Sequence, residues 1–199
     1  NWLAAMCPPG SGKNDITDRY SSHFNMIFVL PFDESSLNLI FSTSVGKFFA
    51  NLPNEPKAET ENIVKATLDV YKKMDSDFKP TPAKSHYTFN MRDVAKVFQG
   101  LCQCTRESVP KKDDLCKVWL HECSRVFMDR LVDDKDQKKF MGMMKQLLNK
   151  YLQRPFDQVI EDPSVPIVFT SFVDPKSKAY LEVTDLDKLR QKVNDYMAD

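Results

Sequence analysis

Between residues 33 and 154 the apolar side chains of this chain return every third or fourth position, in five successive stretches divided by prolines and polar runs. Positions i, i+3 and i+4 share one face of an α-helix, so each stretch predicts a helix with a single apolar side. Asp33 is placed to cap the first, which carries Leu37, Ile40, Phe41, Phe48 and Phe49, has Gly46 as a weak point and closes at Leu52-Pro53-Asn54. Ile63, Thr67, Val70, Tyr71, Met74 and Phe78 mark the second. After it, Lys79-Pro80-Thr81-Pro82 forms a stiff linker, because each proline fixes its own φ and excludes its predecessor from the helical region. Asn90 caps the third, with Asp93 in the first turn and Val94, Val97, Phe98 and Leu101 behind it. The fourth starts at Asp113 or Asp114 and shows Leu115, Val118, Trp119, Cys123, Val126 and Phe127. The fifth starts near Asp136, carries Phe140, Met143, Met144, Leu147, Leu148 and Tyr151, and stops before Pro155, its methionines serving as flexible core filler. Helices apolar on one side only must pack on one another, which predicts a mainly α fold built on a bundle.

The flanks read differently. Residues 2–6 and 24–30 are short apolar runs that predict buried strands, the second ended by Pro31. Past residue 155 the prolines at 163, 166 and 175 surround a strand-like run over 167–172, and residues 186–197 predict a last amphipathic helix. Lys and Arg number 28 against 28 Asp and Glu, so no global field recruits nucleic acid or an anionic membrane, and no apolar run approaches transmembrane length. The chain begins without Met or a basic leader, which reads as a piece cut from a longer protein.

Five cysteines, at 7, 102, 104, 116 and 123, are an odd set that fits reduced thiols better than disulfide staples. A zinc site would draw on Cys102, Cys104, Cys116, His121 and Cys123, but the spacing is not a zinc spacing and no metal is expected. His121-Glu122 opens like H-E-x-x-H, yet Arg125 holds the second histidine's place.

Residues 7–14, CPPGSGKN, imitate the phosphate-binding pattern G-x-x-x-x-G-K-[ST]. Cys7 replaces the opening glycine and Asn14 the hydroxyl residue that would ligate Mg²⁺. A true phosphate loop runs into a crossover helix of about a dozen residues or more, whereas the stretch from Lys13 to Phe24 is short, polar and without an apolar stripe. The run is read as a loop that only looks like a phosphate cradle. Two other readings stand beside that: a small autonomous nucleotide-binding protein using Lys13 with Asp33 or Glu34, and a noncatalytic helical scaffold that binds partner proteins.

Three ordered blocks then carry a resemblance: AAMCPPGSGKNDITDRYSSHFN over 4–25, TPAKSHYTFNMRDVAKVFQG over 81–100 and LCKVWLHECSRVFMDRLVDD over 115–134. Together they resemble the third AAA+ module of dynein heavy chains, in its axonemal form. The resemblance implies residues 1–33 as the end of the large α/β subdomain with its last strands, 34–154 as the helical lid, and 155–199 as a connector to the next module. The Walker segments would lie upstream, so the piece alone is expected to be inactive. The family builds a ring of six AAA+ modules that hydrolyses ATP and walks toward microtubule minus ends.

Residue roles come with the resemblance. Cys7 matches the sensor-one position, commonly Asn, and so departs from the ATPase pattern. Arg19 matches the arginine finger that reaches a neighbouring module's site, a task suited to a planar guanidinium. Arg92, in Phe89-Asn90-Met91-Arg92-Asp93, matches the sensor-two arginine on the lid helix, where it would touch the phosphates of its own module's nucleotide. His86 and Tyr87 read as loop anchors, and Trp119, His121 and Arg125 as lid-core and lid-surface positions. The implied cofactor is ATP or ADP with Mg²⁺ in the parent module, none being expected for the isolated piece. The implied partners are neighbouring modules of the same chain, microtubules, and dynein intermediate and light chains. The implied place is the cytoplasm and cytoskeleton, in the axoneme of a cilium or flagellum.

Overall fold

The computed structural model describes residues 2–6, 15–160, 165–172 and 179–198. The chain divides into two compact units, 1–33 and 34–199. In the first, the described residues form one helical turn, α1 (Asp18–Ser21), which buries no residue and has no side-chain cap at Thr17. Tyr20 and Phe24 pack ring to ring at 5.3 Å.

The strands expected at 2–6 and 24–30 do not form; neither run is paired into a strand among the described residues. Met26, Ile27, Phe28, Val29 and Leu30 are 71–88% exposed. A strand exists only as half of a hydrogen-bonded pair, and an apolar run supplies the wish for burial without the ladder.

The second unit contains the bundle. Its helices are α2 (Glu34–Phe49), α3 (Asn54–Ala58), α4 (Thr60–Asp77), α5 (Met91–Leu101), α6 (Lys112–Val126) and α7 (Asp134–Leu147). Helix α7 runs on through a π-helical turn, Leu148–Leu152, and is ended by Gln153 at φ 53°, in the left-handed region. All five stripes become helices. Leu52-Pro53 ends α2 but also starts α3, where Pro56 sits in the first turn, a place whose N–H has no helical partner to lose. Helix α7 begins two residues before Asp136, with Asp134 and Asp136 in the turn where acids suit the helix dipole.

Helix α4 occupies the centre, touching α2, α5, α7 and the π-turn. Its Ile63, Val64, Val70 and Met74 are completely buried, each worth about 1.5–3 kcal/mol relative to exposure. Trp119 of α6 is also fully buried, and its indole Nε1–H donates to Thr67 Oγ1 at 2.9 Å. Thr67 passes its own proton to the Ile63 carbonyl at 2.8 Å, so the buried polar pair is satisfied.

Beyond the bundle come α8 (Phe156–Val159), the antiparallel pair β1 (Phe169–Thr170) and β2 (Leu181–Glu182), and α9 (Leu186–Ala198). Phe169 lies opposite Glu182 and Thr170 opposite Leu181. Of the strand-like run 167–172, Phe169 and Thr170 form the strand, and the Val168 carbonyl accepts the Val183 N–H at 2.8 Å beside it. The hairpin leans on α6: His121 packs with Phe169 and Tyr180 at 5.7 and 6.3 Å, and its Nδ1 bonds the Ile167 carbonyl at 3.0 Å. Tyr180 donates to the carboxylate of Glu122, a residue only 1% exposed, which Arg125 also holds at 2.6 Å. Gly100 lets α5 approach this point: a Cβ there would stand 2.0 Å from the Glu122 carboxyl carbon.

Candidate functional site

Arg92 sits in the first turn of α5, exposed, and among the described residues its guanidinium makes no ion pair or hydrogen bond. Two reciprocal bonds fix the backbone beneath it. Asn90 Oδ1 accepts the Arg92 N–H at 2.8 Å, and Asp93 Oδ2 accepts the Asn90 N–H at 3.1 Å. This capping box satisfies two of the donors that every helix start leaves open. The cap read from Asn90 and Asp93 therefore forms, with Asp93 doing more than favouring the dipole.

Asp93 is buried, 5% exposed, and is held from outside its helix. Arg130, in the 3-10 turn Met128–Arg130 between α6 and α7, donates to Asp93 Oδ2 at 3.0 Å. Its other terminal nitrogen donates to the His86 and Thr88 carbonyls at 3.0 and 2.8 Å, and its guanidinium lies over the Phe89 ring at 4.7 Å. His86 Nε2 returns a bond to the Arg130 carbonyl at 3.0 Å.

The loop before α5 is pinned a second time. Tyr87, 3% exposed, donates its hydroxyl proton to Asp136 at 3.0 Å and accepts the Val132 N–H at 3.0 Å. Lys84 stands between Asp133 and Asp136, 2.5 Å from each. Hydrogen bonding to Lys84, joined by Tyr87, holds the Asp136 carboxyl below its usual 3.8, while the two carboxylates raise the Lys84 ammonium above 10.5. Burial and the Asp136 contact raise the Tyr87 phenol above 10.0, so it remains a donor at neutral pH. His86 and Tyr87 act as anchors, as their place in the sequence suggested. Arg130 and Lys84 were not singled out there; their partners lie 37 to 52 residues away along the chain.

Arg19 is exposed on α1, in the other unit, where its carbonyl accepts the Ser22 hydroxyl at 2.9 Å. Cys7, and with it the whole run 7–14, lies outside the described residues. The donors around Arg92 fit an anion such as a nucleotide phosphate in part: one unpaired guanidinium at the start of an 11-residue helix, with Asp93 turned inward and paired. Among the described residues no group of three or more His, Cys, Asp or Glu is placed to hold a metal ion. Cys116 and Cys123 are buried, Cys102 and Cys104 partly so; burial pushes Cys104 and Cys116 up to about 12, which keeps them as inert thiols at neutral pH. Among the described residues no helix is long and apolar enough to cross a membrane.

With this geometry in view, comparison with known proteins is specific. The family model of the AAA+ lid domain matches residues 63–165, from the first turn of α4 to just past α8. The chain is 38% identical over 213 residues to dynein axonemal heavy chain 1 of Homo sapiens, all of this chain and 5% of that protein. Dynein axonemal heavy chain 6 of Homo sapiens is 34% identical over 201 residues, 99% of this chain and 5% of its own length. Dynein axonemal heavy chain 2 of Mus musculus is 37% identical over 188 residues, 94% of this chain and 4% of its own. The chain thus spans about a twentieth of the curated relatives that it matches. The mainly α lid bundle expected from the sequence is the fold observed, and the axonemal dynein resemblance extends over nearly its whole length. Matched over half its length by the lid model, this chain belongs to the AAA+ lid domain family.

Proposed function

We propose that this chain is the lid of a nucleotide-responsive module, the third, in the motor ring of an axonemal dynein heavy chain. Residues 1–33 end the large subdomain, 34–154 form the lid and 155–199 lead into the next module. Arg92 is the cation that meets the phosphates of the module's own ATP or ADP with Mg²⁺. Arg19 serves as the finger toward a neighbouring module, and Cys7 stands at a degenerate sensor position. Bound nucleotide would supply the charge that Arg92 reads, and the lid would turn as a rigid body between nucleotide states. The partners are the adjoining modules and, through the parent motor, microtubules with intermediate and light chains, in the axoneme of a cilium or flagellum.

One observation carries this reading: an arginine, unpaired among the described residues, at the start of α5, whose helix is capped by Asn90 and whose neighbouring acid is already engaged by Arg130. The test is Arg92→Ala in the complete heavy chain, read as affinity for a fluorescent ADP analogue. A charge-assisted hydrogen bond is worth about 1.5–3 kcal/mol, so binding at this module should weaken at least roughly tenfold. Unchanged affinity would refute the assignment of Arg92 to phosphate.

A further inference from the structure

Arg130 holds the protein together where Arg92 is presented. It stands between α6 and α7, yet all its polar side-chain bonds run to the approach and first turn of α5. From Arg130 to the Arg92 backbone there are three hydrogen bonds in series: Arg130 Nη1–H to Asp93 Oδ2 at 3.0 Å, the Asn90 N–H to the same oxygen at 3.1 Å, and the Arg92 N–H to Asn90 Oδ1 at 2.8 Å. Meanwhile Nη2 clamps two carbonyls of the loop at His86 and Thr88, and the guanidinium face covers Phe89. Asp93 has a second cation in Lys96, but at 3.6 Å and on a side chain 60% exposed.

We infer that Arg130 is a positioning residue for Arg92: it sets the angle at which α5 offers that guanidinium, and ties that angle to the junction of α6 and α7. The inference rests on the reading that Arg92 meets phosphate. A planar fork reaches the carboxylate through one nitrogen and both carbonyls through another while its face stacks on a ring; an ammonium has three donors but only one nitrogen and no flat face, so it cannot span these points and cover the ring together. A shift of α7 against α6 would therefore be passed to Arg92 through a rigid donor and not through solvent.

The experiment is a double-mutant cycle in the complete heavy chain, with the fluorescent ADP analogue as the probe and Arg92→Ala, Arg130→Lys and the pair as variants. Arg130→Lys keeps charge opposite Asp93 and removes the fork. Expected is a loss of about tenfold for Arg92→Ala and about fivefold for Arg130→Lys, with the pair no weaker than Arg92→Ala alone. Hydrogen exchange at the Asn90 and Arg92 amides should quicken in Arg130→Lys while the amides of α4 stay protected. Asp93→Asn, which weakens the same chain of bonds from its other end, should repeat both results and serves if the lysine variant does not fold. Losses that multiply in the pair would overturn the inference, since Arg130 would then act independently of Arg92. Full affinity in Arg130→Lys and Asp93→Asn beside a weakened Arg92→Ala would also overturn it, and would leave the phosphate reading standing. An Arg92→Ala variant with unchanged affinity would remove the phosphate reading and the inference together.

Discussion

Arg92 and Arg19 are both exposed, and their supports could hardly differ more. Arg92 rises from α5, an 11-residue helix with a capping box, a buried acid clamped by Arg130, and Val94, Val97, Phe98 and Leu101 sunk in the core. Arg19 rides on α1, four residues long, with no side-chain cap and no buried residue. A guanidinium is useful at a site only if the backbone beneath it stays put, because each lost degree of placement costs contact energy. Within this chain Arg92 is preorganised by its own unit. Arg19 owes nothing comparable to the residues described around it.

The contrast can be broken most forcefully from the core side. Leu101→Ala removes a fully buried side chain from α5 and should cost about 3 kcal/mol, lowering the thermal midpoint of the chain by several degrees. Tyr20→Ala, at a residue 54% exposed beside Arg19, should move the same melt by less than about 0.5 kcal/mol. Equal effects would show that α1 is as firmly seated as α5. A smaller change sharpens the cap: Asn90→Ala should cost about 1 kcal/mol and speed exchange of the Arg92 amide, while Asn90→Asp should preserve both.

The weakest expected effect concerns the second pin of the α5 loop, and it depends on pH. Asp136 has a folded pKa held below 3.8, chiefly by Lys84, so its contribution is present above that value and is lost as pH falls through the lower, folded value. Lys84 has a raised folded pKa, so its contribution is complete below 10.5 and fades only as strongly alkaline solution titrates it. Melting curves of the chain and of Asp136→Asn should therefore differ at pH 7 and converge below about pH 3.8. A difference that persists in acid would mean that the amide changes packing and not charge.

Much of this site could be read from residue order because its pieces are local. Asn90 and Asp93 are three residues apart, so a cap is a statement about one turn of chain. The stripes of α4, α5 and α6 were equally legible, since helical period and apolar spacing coincide there. Arg130 could not be found this way. Its partners at 86, 88 and 93 meet it only after α5 and α6 pack, and an arginine in a turn looks the same in sequence whether it clamps or floats. Residues 24–30 failed for the opposite reason: the run proclaims burial, but pairing is a property of two segments, and among the described residues none pairs with it.

Sequence alone therefore determined which stretches coil, where α5 begins and which arginine stands at its start, because propensity, capping and period act within a few residues. It also carried the resemblance on which the family rests. Tertiary structure decided that Asp93 is buried and clamped, that the loop at 84–89 is pinned twice, and that Arg130 is the hub between two helices. Those facts depend on contacts between residues distant along the chain, and such contacts exist only once the core has brought their helices together.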